Sequence, residues 1–97
     1  MIAVFVSFKY DDGVDRDAVT ALAEHAQSQF AGMPGLRSKA FTVDEANGEA
    51  TNVYVWESED AARAFFTDAL VERVTGLYGV PPTIRYAEVP VLVENAA

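Results

Sequence analysis

The chain contains no cysteine. Disulfides, thiolate-bound zinc and a cysteine nucleophile are therefore excluded. Basic residues are scarce: seven Lys and Arg stand against fifteen Asp and Glu, a formal net charge of −8. A nucleic-acid reader displaces counterions with a basic surface, and this balance opposes that role. It equally disfavours docking on an anionic membrane. No apolar run approaches the ~20 residues that a membrane span needs. The start of the chain shows neither a basic region nor a small-residue cleavage site, so a cytoplasmic location is the expectation. No G-x-G-x-x-G follows a strand, and no phosphate-cradling lysine loop is present. The acidic stretch Asp44–Glu49 has too few alternating oxygen ligands for a calcium loop. One histidine among scattered carboxylates makes a poor metal site, so neither metal nor organic cofactor is expected.

What remains is apolar and patterned. Half of the 97 residues (51%) are hydrophobic, enough for one domain spanning 1–97 and for a second copy to pack against it. Ile2–Tyr10 is β-branched and aromatic, apolar at almost every position, and suits a central strand covered on both faces. Asp15 caps a helix running to about Ala31, with Val19, Leu22, Ala23, Ala26 and Phe30 as its apolar stripe. Leu36–Val43 and Thr51–Trp56 read as strands joined by a hairpin at Asn47-Gly48. Ser58 caps a second helix that carries Ala62, Phe65, Phe66, Ala69 and Leu70 and fades near Thr75-Gly76. Thr83–Val89 is a fourth strand, Pro90 interrupts it, and Val91–Asn95 is a short apolar tail with strand propensity.

The order is β-α-β-β-α-β, an α+β ferredoxin-like arrangement with a four-stranded antiparallel sheet. Right-handed crossovers put the first and third strands in its centre. One helix layer covers only one sheet face. The other face would be a large apolar patch unless a partner covers it, so a homodimer with facing sheets is expected. The tail, 91–97, would then be free to cross to the partner.

The segment PGLRSKAFTVDEANGEATNVYVWESEDAARAFF (Pro34–Phe66) carries a likeness. It holds a Gly-Leu before the second strand, Lys39 within it, an acidic Asn-Gly-Glu hairpin, an apolar strand and an acidic helix start. With these features the chain resembles the dimeric α/β-barrel superfamily, and within it the YdhR-like monooxygenases. The resemblance implies a homodimeric α/β barrel. It also implies a cofactor-independent monooxygenase acting on a small aromatic or polyketide-like substrate. The same fold also serves isomerases, cyclases and non-catalytic small-ligand-binding or interaction modules, so fold alone does not select oxidation. Quinone-forming members line their pocket with an asparagine and a tryptophan four residues apart on a strand. Asn52 and Trp56 have that spacing here. The tyrosine and arginine expected further along have no clear match. Haem-degrading members use a histidine on the second helix, whereas His25 lies on the first, so haem is not expected.

Four sets of residues are candidates for chemistry. Asn52, Tyr54 and Trp56 share one face of the third strand. They are either core aromatics with one satisfied polar handle or a pocket wall whose donors hold a substrate oxygen. Phe65 and Phe66 on the apolar face of the second helix are expected to bind substrate with such a wall. Four of the seven basic residues (Lys9, Arg37, Lys39 and Arg85) fall in strands. They either protect sheet edges from unwanted pairing or, for Lys39 and Arg85, anchor an anionic substrate. His25 lies on the shoulder of the first helix's stripe. It is either a surface histidine or a general base. Tyr10, Tyr78 and Tyr86 are further hydroxyls able to donate into a pocket.

Overall fold

The computed structural model describes residues 1–95. Its elements are β1 (Ile2–Lys9), α1 (Arg16–Phe30), β2 (Leu36–Asp44), β3 (Glu49–Trp56), α2 (Glu59–Phe65), α3 (Asp68–Tyr78) and β4 (Thr83–Glu88). The strands form one sheet in the order β2-β3-β1-β4, and every pairing is antiparallel. The first and third strands are central, as the handedness of the crossovers requires.

Local chemistry sets the boundaries. Asp15 accepts from the Ala18 backbone N–H at 3.1 Å and caps α1, and Ser58 does the same for α2 through Ala61 at 3.1 Å. In the β2–β3 turn, Asp44 accepts from both the backbone and the side-chain amide of Asn47. Gly48 takes the left-handed conformation there, φ 62°, and a Cβ on it would stand 3.0 Å from the Tyr10 carbonyl oxygen.

Two sequence expectations change. The second helix is two helices. Phe66 leaves helical geometry (φ −85°, ψ 68°), and Thr67 turns extended and caps α3 by accepting from Leu70 N–H at 3.2 Å. A threonine followed by aspartate is a helix start, and here it restarts the helix with a new phase. The tail forms no strand across Val91–Asn95. Val91 and Val93 are 74% and 78% exposed, and the Glu94 carboxylate reaches back to Arg37 of the same chain at 2.7 Å. Residues 96 and 97 of the tail lie outside the described residues.

The register fixes which side chains share a face. Ile2, Val4, Val6 and Phe8 stand opposite Trp56, Tyr54, Asn52 and Ala50. All eight are buried and face the helices, packing with Ala62, Phe30, Phe65 and Phe66. The intervening residues Phe5, Ser7, Thr51, Val53 and Val55 point to the other face and remain partly exposed. There the Ser7 and Thr51 hydroxyls pair at 3.1 Å and the Arg85 guanidinium lies 4.3 Å over the Phe5 ring.

Candidate active site

A cavity of about 230 Å3 opens between the helix-facing side of the sheet and the helices. β2 and β3 supply its floor through Lys39, Phe41, Asn52 and Tyr54. α1 supplies Leu22, Ala26 and Phe30, and the two later helices supply Phe65, Arg73, Val74 and Tyr78. An apolar cavity of ~150 Å3 holds a benzene, so this one takes a somewhat larger ring system.

Lys39 is the unusual residue in this wall. Its Nζ lies 3.3 Å from the Phe30 ring centroid, 4.2 Å from Phe41 and 4.3 Å from Tyr54. Among the described residues no carboxylate comes within ion-pair distance of it. Burial away from water lowers its pKa from the ordinary lysine value to about 7. The ring faces attract an ammonium but replace only part of the hydration it gives up. The amine is therefore part neutral and part charged near pH 7.

Asn52, Tyr54 and Tyr78 in the same lining are donors. Asn52 is 4% exposed, and its Nδ2 donates to the Tyr78 hydroxyl at 3.2 Å. The Tyr78 ring stacks on Phe8 at 3.8 Å, and its backbone carbonyl accepts from the Tyr10 hydroxyl at 2.8 Å. Tyr78 is thus fixed at both ends, and its own hydroxyl proton is left to donate into the cavity. Burial, reinforced by Tyr78 nearby, raises the pKa of Tyr54 well above the usual phenol range. Tyr54 therefore stays protonated and acts as a donor, not a base.

Of the residues singled out in the sequence as candidates for chemistry, the structure brings Lys39, Asn52, Tyr54, Phe65 and Tyr78 together at this cavity. Trp56 and Phe66 are on the same side but behind it. Trp56 is 2% exposed, packed against Phe65 and Phe66, with its indole N–H lacking an acceptor among the described residues. His25 is not in this wall. It is exposed on the outer flank of α1, beside a shallow depression with Ala18, Ala21 and Leu77. Arg85 is on the opposite sheet face, because it pairs in register with Phe5, two faces of one sheet away from Asn52. Lys9 is likewise elsewhere, donating to the Asn47 carbonyl at 2.6 Å. Among the described residues no three His, Asp or Glu side chains converge on a metal-sized site.

Arg73 on the rim was not foreseen. A single uninterrupted helix would not carry the phase that α3 acquires at Thr67, and the Thr67-Asp68 pair was the available signal.

Residues 3–85 match the family described as "Putative mono-oxygenase ydhR". The chain belongs to this family. None of the curated proteins compared matches it. Among solved structures, one from Bordetella bronchiseptica, described as a putative antibiotic biosynthesis monooxygenase, is 22% identical with a TM-score of 0.69. That alignment covers 93% of this chain and 97% of the other. A Streptomyces coelicolor monooxygenase from the gene ActVA-Orf6, solved with the ligand nanaomycin D, is 23% identical with a TM-score of 0.68. It covers 98% of this chain and 92% of its own. A third, described as a putative antibiotic biosynthesis monooxygenase from Deinococcus radiodurans, aligns over 100% of both chains at 10% identity and a TM-score of 0.66. These likenesses establish a shared fold, that of antibiotic biosynthesis monooxygenases.

Proposed function

We propose that this member of the family is a cofactor-independent monooxygenase for a small aromatic, polyketide-like phenol or enol. The observation that carries the reading is the Lys39 amine, which lines a largely apolar cavity together with side-chain donors and, among the described residues, has no carboxylate within ion-pair distance. Oxidation by dioxygen without a cofactor requires the substrate to become an electron-rich anion first. A neutral Lys39 takes the phenolic or enolic proton, and the ammonium so formed stays beside the anion it has created. Asn52, Tyr54 and the Tyr78 hydroxyl lie in the same wall and donate to substrate oxygens. The anion then gives electrons to dioxygen. One oxygen atom enters the substrate carbon, and the other leaves as water with the substrate hydrogens. Trp56 has a positioning role, backing Phe65 and Tyr54.

A second copy completes the fold in this reading. Phe5, Val53 and Val55 form an apolar strip on the sheet face turned away from the helices, and a facing sheet from a partner buries it. A non-catalytic ligand-binding module is the alternative, and turnover separates the two. The test is oxygen uptake with an anthrone or quinol. kcat/KM is expected to rise with pH through about 7 and then level off, since the base must be unprotonated. Lys39→Met removes that rise and lowers turnover by about a hundredfold or more, the usual contribution of a general base. Asn52→Ala lowers it less, by about tenfold, for one lost neutral donor. Full activity and an unchanged pH profile in Lys39→Met contradict the assignment.

A further inference from the structure

Lys39 also lines a second depression. This one, of about 300 Å3, lies on the outer side between the end of α1 and the start of β2, and Gln27, Leu36 and Ser38 are among its walls. Phe30, Lys39 and Phe41 belong to both spaces. Lys39 therefore stands in an aromatic partition, with Phe30 and Phe41, between the two spaces. Flat ring faces flank it, and among the described residues no carboxylate holds it as an ion pair.

We propose that Lys39 is a covalent docking point for aromatic aldehydes and ketones, which condense with its amine to form an imine. The partition provides what this chemistry asks for: rings that hold a planar carbonyl compound against Nζ, and an amine whose lone pair is not committed to a salt bridge. Its pKa of about 7 leaves a large neutral fraction at neutral pH. In the first step the Nζ lone pair attacks the carbonyl carbon. A C–N bond forms, the π pair moves to oxygen, and a proton passes from nitrogen to that oxygen to give a carbinolamine. In the second step the hydroxyl leaves as water with the remaining amine proton, and a C=N bond replaces it. No oxidant or reductant is consumed. The inference uses the cavity of the oxidation reading but none of its oxygen chemistry.

The chain offers a built-in control. Lys9 and Lys39 are its only lysines. Lys9 is exposed, bonded to the Asn47 carbonyl, and lines neither space. The experiment treats the intact protein anaerobically at pH 7 with benzaldehyde and cyanoborohydride, then locates benzylated amines by peptide mass spectrometry. Modification of Lys39 is expected to exceed that of Lys9 and of the Met1 amine by about tenfold or more, the effect of holding reactants together. Naphthalene, a planar ligand without a carbonyl, is expected to protect Lys39 and leave Lys9 unchanged. Lys39→Arg, checked for native circular dichroism, is expected to lose the fast label. Labelling that follows exposure alone, with Lys9 and Met1 ahead of Lys39, overturns the proposal. So does protection that fails to distinguish the two lysines. Trapping without anthrone oxidation sinks only the oxidation reading, and Lys39-dependent oxidation without trapping sinks only the imine.

Discussion

The two faces of β3 differ within eight residues. On the helix side, Ala50, Asn52, Tyr54 and Trp56 are all buried, and the cavity borrows two of them. On the other side, Glu49, Thr51, Val53 and Val55 are only partly covered. Both faces contain large apolar groups, so hydrophobicity does not separate them. What separates them is the neighbour. One face meets helices that supply aromatic rings and leave a gap, and the other is covered by no helix among the described residues. The face that carries polar and titratable groups in an apolar setting is the one suited to chemistry.

Substitutions on the two faces should fail in different ways. The largest effect belongs to the helix side. Trp56→Ala empties the largest fully buried side chain and is expected to cost about 3–5 kcal/mol, read as a lower urea midpoint at every protein concentration. Equal losses from Trp56→Ala and Val53→Ala would erase the distinction between the faces. Next is Val53→Glu on the open side. A carboxylate placed in the apolar strip there is expected to weaken pairing by about a hundredfold or more, seen by sedimentation as a shift to the mass of one chain, since burying it costs more than the Arg85 guanidinium over Phe5 on the same face returns. A wild type that sediments as one chain throughout would remove the need for a partner on that face.

The smallest effect is the pH dependence of stability. Lys39 releases its proton at about 7 when folded, and at the ordinary value of 10.5 when unfolded. Between these limits the unfolded chain binds more protons, so this residue makes stability rise with pH and withdraws that contribution as pH falls to about 7. Lys39→Met lacks the term. The variant is expected to be more stable than wild type at pH 6, by about 1 kcal/mol, with the advantage shrinking toward pH 10. A constant difference across that range would mean that Lys39 is not desolvated.

Much of this was legible in the sequence because strands and caps are written locally. The alternation of Thr51–Trp56, the Asn47-Gly48 turn and the Asp15 and Ser58 caps needed only neighbouring residues. The strand order followed from handedness. The direction of the Asn52–Tyr54–Trp56 face was not readable, since β1 is apolar on both sides and offers no label for the covered one. Of the strand cations, Lys39 and Arg85 looked alike in sequence. Register sends one to the aromatic cavity and the other to the open face, and register depends on pairing across the sheet. His25 differed again: a shoulder position on α1 reaches the cavity only if the helix is rotated toward it, and here Leu22, Ala26 and Phe30 take that direction.

The claim that most of this account rests on is the state of one amine. In protein labelled with 13C-lysine only two side-chain Cε signals are present, and the one missing from Lys39→Met is assigned to that residue. The account predicts that this signal titrates with a midpoint near 7 and shifts when a small phenol is added. A midpoint that stays at the ordinary lysine value, with no response to the phenol, would contradict it.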